Sequence, residues 1–110
     1  MKLALVSTLA FLTGISSAGI SAMAQGADPA PGARLAEEHC SNCHAVGANP
    51  HVKSPNSEAP PFALVAQMPS TTELSLKVFL RSSHKNMPNF ILSSEEIDSV
   101  TSYILGLKKK

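Results

Sequence analysis

The chain has 110 residues, nine Lys and Arg against eight Asp and Glu, two cysteines and only 5% aromatic residues. That length bounds it to a single small domain with limited capacity for a core made of side chains alone. Near-balanced charge without a basic stripe argues against a nucleic-acid partner.

Lys2 precedes an apolar stretch from Leu3 to Leu12, and Ala22-Met23-Ala24 fits the small-x-small rule for signal peptidase. Residues 1–24 are therefore expected to be a signal peptide cleaved after Ala24. An uncleaved membrane anchor is disfavoured, because Ser7, Thr8, Thr13, Gly14, Ser16 and Ser17 dilute the run below a span of about 20 apolar residues. The Gly/Ala/Pro-rich residues 25–32 are expected to form a flexible leader, and residues 33–110 a single domain without internal repeats. A domain of that size usually needs a staple.

A first helix is expected from Ala33 to Ser41, carrying Leu35 and His39 on one side and delivering Cys40 into the pentapeptide Cys40-Ser41-Asn42-Cys43-His44. C-x-x-C-H is the pattern of c-type haem attachment, in which the two thiols bond one haem and the histidine faces its iron. A redox dithiol belongs in a βαβ setting, and no strand-like alternation precedes Cys40. A structural zinc site needs four ligands, and a second ligand pair at suitable spacing is missing. A plain disulfide leaves His44 unexplained. A covalently held macrocycle would also be the staple, occupying volume that large side chains would otherwise fill.

Val46 to Pro61 reads as loop, because Pro50, Pro55, Pro60, Pro61, Gly47, Asn49 and Asn56 break regular structure. Phe62–Gln67 can form one short helical turn before Pro69. Ser70-Thr71-Thr72-Glu73 reads as a capping box opening a helix to about Arg81, with Leu74, Leu76, Val78, Phe79 and Leu80 as its apolar content. Ser82 to Phe90 is non-helical. Ser93 and Glu96 then form another capping box, and Ile97, Val100, Ile104 and Leu107 recur along one face of a helix from Ser94 to about Lys108. Lys108, Lys109 and Lys110 suit the negative end of that helix.

An iron held by His44 is set for electron transfer if a thioether closes its other side, and for ligand or oxygen chemistry if that side stays open. The candidates are Met68, Met87, His51 and His84. Met87-Pro88 is favoured, lying in a loop pinned by helices at both ends. Met68-Pro69 follows an apolar segment where methionine is more often a core filler. His39, His51 and His84 read as surface or hydrogen-bonded residues, none with a companion acid or nucleophile at a catalytic spacing.

Gly32-Ala-Arg-Leu-Ala-Glu-Glu-His-Cys40 feeding C-x-x-C-H, the proline loop, and Met87-Pro-Asn-Phe-Ile-Leu-Ser-Ser-Glu-Glu-Ile97 opening a helix with Tyr103-Ile104 resemble class I c-type cytochromes across the whole chain beyond the signal peptide. The resemblance implies an all-α small cytochrome c fold, with three main helices around one covalently attached haem c. It implies Cys40 and Cys43 as haem attachment points, His44 and Met87 as proximal and distal iron ligands, and a proline carbonyl holding the free ring N–H of His44, for which Pro60 is favoured. Gly32 would lie where the first and last helices cross, with Tyr103 as aromatic partner. Ala36 departs from the aromatic common in relatives, implying a looser crossing.

The implied function is a monohaem electron carrier in the periplasm, not an enzyme, monomeric, forming transient complexes with a dehydrogenase or bc1-type donor and an oxidase or reductase acceptor. A permanent haem subunit of a sulfite or quinoprotein dehydrogenase is the alternative, and a haem peroxidase a weaker one. Docking is expected around Ala45, Val46, Asn86 and Pro88, with Lys53 and Lys85 at the rim.

Overall fold

The computed structural model describes residues 29–83 and 86–109. The expected signal peptide, residues 25–28 of the expected leader, His84, Lys85 and Lys110 lie outside the described residues.

The first helix, α1 (Pro29–Leu35), begins inside the stretch expected to be leader, so residues 29–32 are helical instead. Pro-Ala-Pro-Gly reads as a breaker, yet proline is tolerated in a helix's first turn, where its missing N–H would have had no partner. Packing does the rest. A Cβ built on Gly32 would lie 2.0 Å from the Ser99 carbonyl oxygen and 2.9 Å from the Val100 nitrogen. Backbone therefore meets backbone between α1 and the last helix, and a residue with any side chain would force them apart. Ala36, one turn on, is fully buried in the core. The crossing is thus close rather than loose, because small residues on α1 leave no side chain to hold the helices apart.

From Ala36 to Cys40 the helix widens into a π stretch, and it ends in a turn where the N–H groups of Cys43 and His44 both donate to the Cys40 carbonyl, at 3.1 and 2.9 Å. Helix α2 spans Phe62–Gln67, as the short apolar run predicts. Helix α3 covers Glu73–Arg81, but its capping box sits two residues later than expected. Thr72 Oγ1 accepts from the Ser75 N–H at 3.1 Å, and Ser75 Oγ accepts from the Thr72 N–H at 2.9 Å. Serine thus plays the reciprocal part usually given to Glu or Gln.

Helix α4 spans Ser94–Gly106 and opens with the expected Ser93/Glu96 box. It ends two residues before the expected Lys108. Among the described residues there is no β-strand, and the fold is all-α.

α4 is the spine against which α1, α2 and α3 all pack. Its Val100 and Ile104 join Ala36, Val46, Phe62, Ala66 and Leu76 in one apolar cluster, each large aliphatic side chain contributing about 1.5–3 kcal/mol when fully buried. Lys77 fastens α3 to α4, donating to Glu73 Oε1 at 2.6 Å and Asp98 Oδ1 at 2.9 Å. Of the five apolar residues of α3 only Leu76 is buried; Leu74, Val78 and Phe79 are exposed and Leu80 is half-buried. No helix among the described residues is long and apolar enough to cross a membrane.

Thr101 is 1% exposed, and its hydroxyl has no hydrogen-bond partner among the described residues. A buried unpaired hydroxyl costs about 1–3 kcal/mol, whereas Thr and Val have similar helix propensity. Thr101→Val is therefore expected to stabilise the protein by about 1 kcal/mol, read as a higher denaturant midpoint at constant slope. A lower midpoint would mean that the hydroxyl is satisfied in solution.

Candidate functional site

The π stretch and the turn after it bring Cys40, Cys43 and His44 to one side of a cleft of about 190 Å³, and the loop between α3 and α4 brings Met87, Pro88 and Phe90 to the other. His39 and Asn42 complete the lining. A second, narrower cavity continues from it between α1, α3 and α4, sharing His39, Cys40, Met87, Pro88 and Phe90 and ending on Leu35, Phe79, Leu80, Leu92 and Val100. Two thiols, an imidazole and a thioether thus face a common space whose deeper walls are apolar.

Both cysteines are unpaired and half-buried. Burial, and then the neighbouring Cys43 thiol, push the Cys40 thiol above its ordinary range, which keeps it protonated rather than a reactive thiolate. Among the described residues no three His, Cys, Asp or Glu side chains converge as a metal site.

His44 is fixed by two neighbours. Its Nδ1 lies 2.7 Å from the Pro60 carbonyl oxygen. A carbonyl only accepts, so Nδ1 carries a proton and donates it, and in the neutral ring the lone pair is then on Nε2. The Phe62 ring packs against the imidazole with centroids 5.1 Å apart. Phe62 is placed by its own N–H, which donates to the Ala45 carbonyl at 2.9 Å and closes the loop between residues 45 and 62 onto itself.

That loop is ordered by short-range bonds. The Asn56 N–H donates to the Cys43 carbonyl at 3.1 Å, Asn56 Oδ1 accepts from Glu58 N–H at 3.0 Å, and Ser54 Oγ accepts from Ala45 N–H at 3.0 Å. Tyr103 reaches across from α4, and its hydroxyl donates to the Val46 carbonyl at 2.6 Å. Burial, then Glu37, push the Tyr103 phenol above its ordinary range, so the donating form is retained. Finally, Asn86 Nδ2 donates to Glu58 Oε2 at 2.9 Å, joining the proline loop to the loop that carries Met87.

The structure therefore brings together Cys40, Cys43, His44, Met87 and, through its carbonyl, Pro60. Met68 lines neither cavity and is 42% exposed; His51 is exposed in the proline loop. Ala45 and Val46, expected at a docking surface, are buried with 9% exposure each, because their backbone groups are the anchor points for Ser54, Phe62 and Tyr103.

Reasoning from sequence also left out several residues. His39 is exposed, in keeping with its reading as a surface residue, but it also borders both cavities, with the Phe90 ring 6.0 Å from its own. Its place one residue before Cys40 is the signal that could have found it. The link between Glu58 and Asn86 had no signal in spacing, since 28 residues separate the partners.

Helices packed on α4 and a C-x-x-C-H turn opening into a half-apolar cleft define the class: this is a c-type cytochrome domain, whose cofactor is covalently bound haem c. A family model described as cytochrome c oxidase, cbb3-type, subunit III matches residues 27–104, and the chain belongs to that family. No curated protein and no solved structure gives a significant match. The donor set suits the cofactor: two thiols for attachment, an imidazole held by Pro60, and a cleft whose further walls, Leu35, Phe79, Leu80, Leu92 and Val100, are apolar.

Proposed function

We propose that the protein is a monohaem electron carrier of the periplasm, its haem attached through Cys40 and Cys43 and its iron held between His44 and Met87. The observation that carries the reading is the orientation of His44, whose Nδ1–H donates to the Pro60 carbonyl oxygen while the ring borders the same cleft as Met87. Such a carbonyl acceptor fixes the tautomer and the ring direction and raises the basicity of the ligating nitrogen. When bound, the haem supplies a one-electron couple whose potential is raised by thioether ligation. The chain's own contribution is to hold both axial groups in place and to line the inner end of the cleft with apolar side chains.

A potentiometric titration of the purified holoprotein is expected to follow a single one-electron curve, and the reduced form to take up CO slowly. Rapid CO uptake would replace this reading with an open iron and an enzymatic role such as a peroxidase.

The docking surface is drawn around Pro88 and Phe90, exposed at the cleft, and the exposed Asn86 beside Met87, with Lys53 exposed on the proline loop. Donor and acceptor are a dehydrogenase or bc1-type complex and an oxidase or another reductase, met in transient contacts. Because charges nearly balance across the chain, electron-transfer rates with a physiological partner are expected to fall by less than about tenfold as ionic strength rises from low salt to about 0.15 M, where the Debye length is about 8 Å. A steeper fall in stopped-flow rates would show that a strongly charged patch governs docking.

A second reading is favoured by the description of the matching family as an oxidase subunit: a haem domain held permanently in a larger oxidoreductase. Co-purification from native membranes at fixed stoichiometry would establish it, whereas recovery as a free monomer supports the mobile carrier.

A further inference from the structure

We infer that Glu58 is a positioning residue, which holds the Met87 loop shut against the proline loop through Asn86; this rests on the proposed His44/Met87 ligation. Asn86 is the residue immediately before Met87, and its Nδ2 donates to Glu58 Oε2 at 2.9 Å. Glu58 is two residues before Pro60, whose carbonyl fixes His44. One side-chain bond therefore links the segment that orients the imidazole to the segment that presents the thioether.

The Glu58 end of this link is anchored rather than loose. Its own N–H donates to Asn56 Oδ1 at 3.0 Å, the Asn56 carbonyl accepts from Ala59 at 3.1 Å, and the Asn56 N–H donates to the Cys43 carbonyl at 3.1 Å. A run of hydrogen bonds thus leads from the C-x-x-C-H turn through Asn56 and Glu58 to Asn86 and Met87. A pull on the methionine loop is resisted by the same turn that carries the haem attachment. The acceptor is a carboxylate, which makes the bond stronger than a neutral one. Both side chains are exposed, so water competes and the effect on loop opening is several-fold rather than orders of magnitude.

The test is on holoprotein, reading ligand entry and the far-red sulfur-to-ferric-iron absorption separately from helix content. Glu58→Ala and Asn86→Ala are each expected to speed CO binding to the reduced protein, and cyanide binding to the oxidised protein, by about fivefold. In both variants the far-red band should be lost at lower denaturant than in wild type, with the far-ultraviolet circular dichroism transition nearly unmoved. Glu58→Gln, which can still accept from Asn86, should stay within about twofold of wild type, and the double alanine variant should be no faster than either single one.

Unchanged ligand entry in Glu58→Ala, equal effects of Ala and Gln, additive effects in the double variant, or parallel shifts of band and helix transition would each overturn the positioning role. Failure of the ligation reading looks different. Wild type would then lack the far-red band, or Met87→Ala would keep it, and the positioning role would fall with it.

Discussion

Met87→Ala should abolish the weak far-red absorption of the oxidised protein, lower its reduction potential and open the iron to CO and cyanide. The expectation follows from the place of Met87, half-buried and bordering both cavities, with the His44 side of the cleft opposite. Removing a thioether ligand withdraws the preference for ferrous iron and leaves one coordination position to solvent or added ligands. Met68→Ala should leave all of these properties intact. Met68 is 42% exposed and lines neither cavity, so its loss should change stability by no more than about 0.5 kcal/mol, as is usual for surface positions. Spectra and CO kinetics of the two variants check the pair. The reverse pattern would move the ligand to Met68.

The second large effect is expected on replacing Cys40 and Cys43 together by Ala. Such a chain, matured without covalent haem, should be mostly unfolded, showing weak helical circular dichroism and no cooperative thermal transition. The fully buried apolar cluster of the described residues is Ala36, Val46, Phe62, Ala66, Leu76, Val100 and Ile104, two of them alanines, and the side chains packed on it, such as Leu35, Val65, Leu80 and Tyr103, are only partly buried. At this size the core offsets chain entropy narrowly even when complete. A cooperative transition in the apo variant would show that α1 docked on α4 is sufficient by itself.

The parts of the fold legible in the sequence were those governed by neighbours in the chain. The Ser93/Glu96 box, the α4 stripe of Ile97, Val100 and Ile104, and the Phe62–Gln67 turn are local in this sense, and each lies where its pattern places it. The start of α1 was hidden because Pro29, Pro31 and Gly32 carry breaker chemistry, and only the approach of Ser99 explains their helical state. The shifted box of α3 had a different cause. Thr71, the residue between the two candidate caps, turns its hydroxyl back to the Val65 carbonyl at 2.6 Å, and Thr72 takes up the capping role with Ser75. At the site, C-x-x-C-H was legible as chemistry, whereas the bond between Glu58 and Asn86 and the approach of the Phe90 ring to His39 depend on how distant segments meet.

The π stretch Ala36–Cys40 has a consequence for how this chain tolerates change. An α-helix turns about 100° per residue and a π stretch turns less, because its hydrogen bonds span one residue more. Gly32 fixes where the first helix sits along α4, and the wider turns after it fix the direction in which Cys40 leaves the helix axis. Position and heading are thus set by separate segments, as in a compass mounted on a rail. Losing a single residue between Ala36 and Cys40 would leave the seat at Gly32 on α4 in place, yet is expected to change the heading of Cys40. Substitutions at the exposed Glu37, Glu38 and His39 are expected to be tolerated, while a change in length there is expected to misplace Cys40.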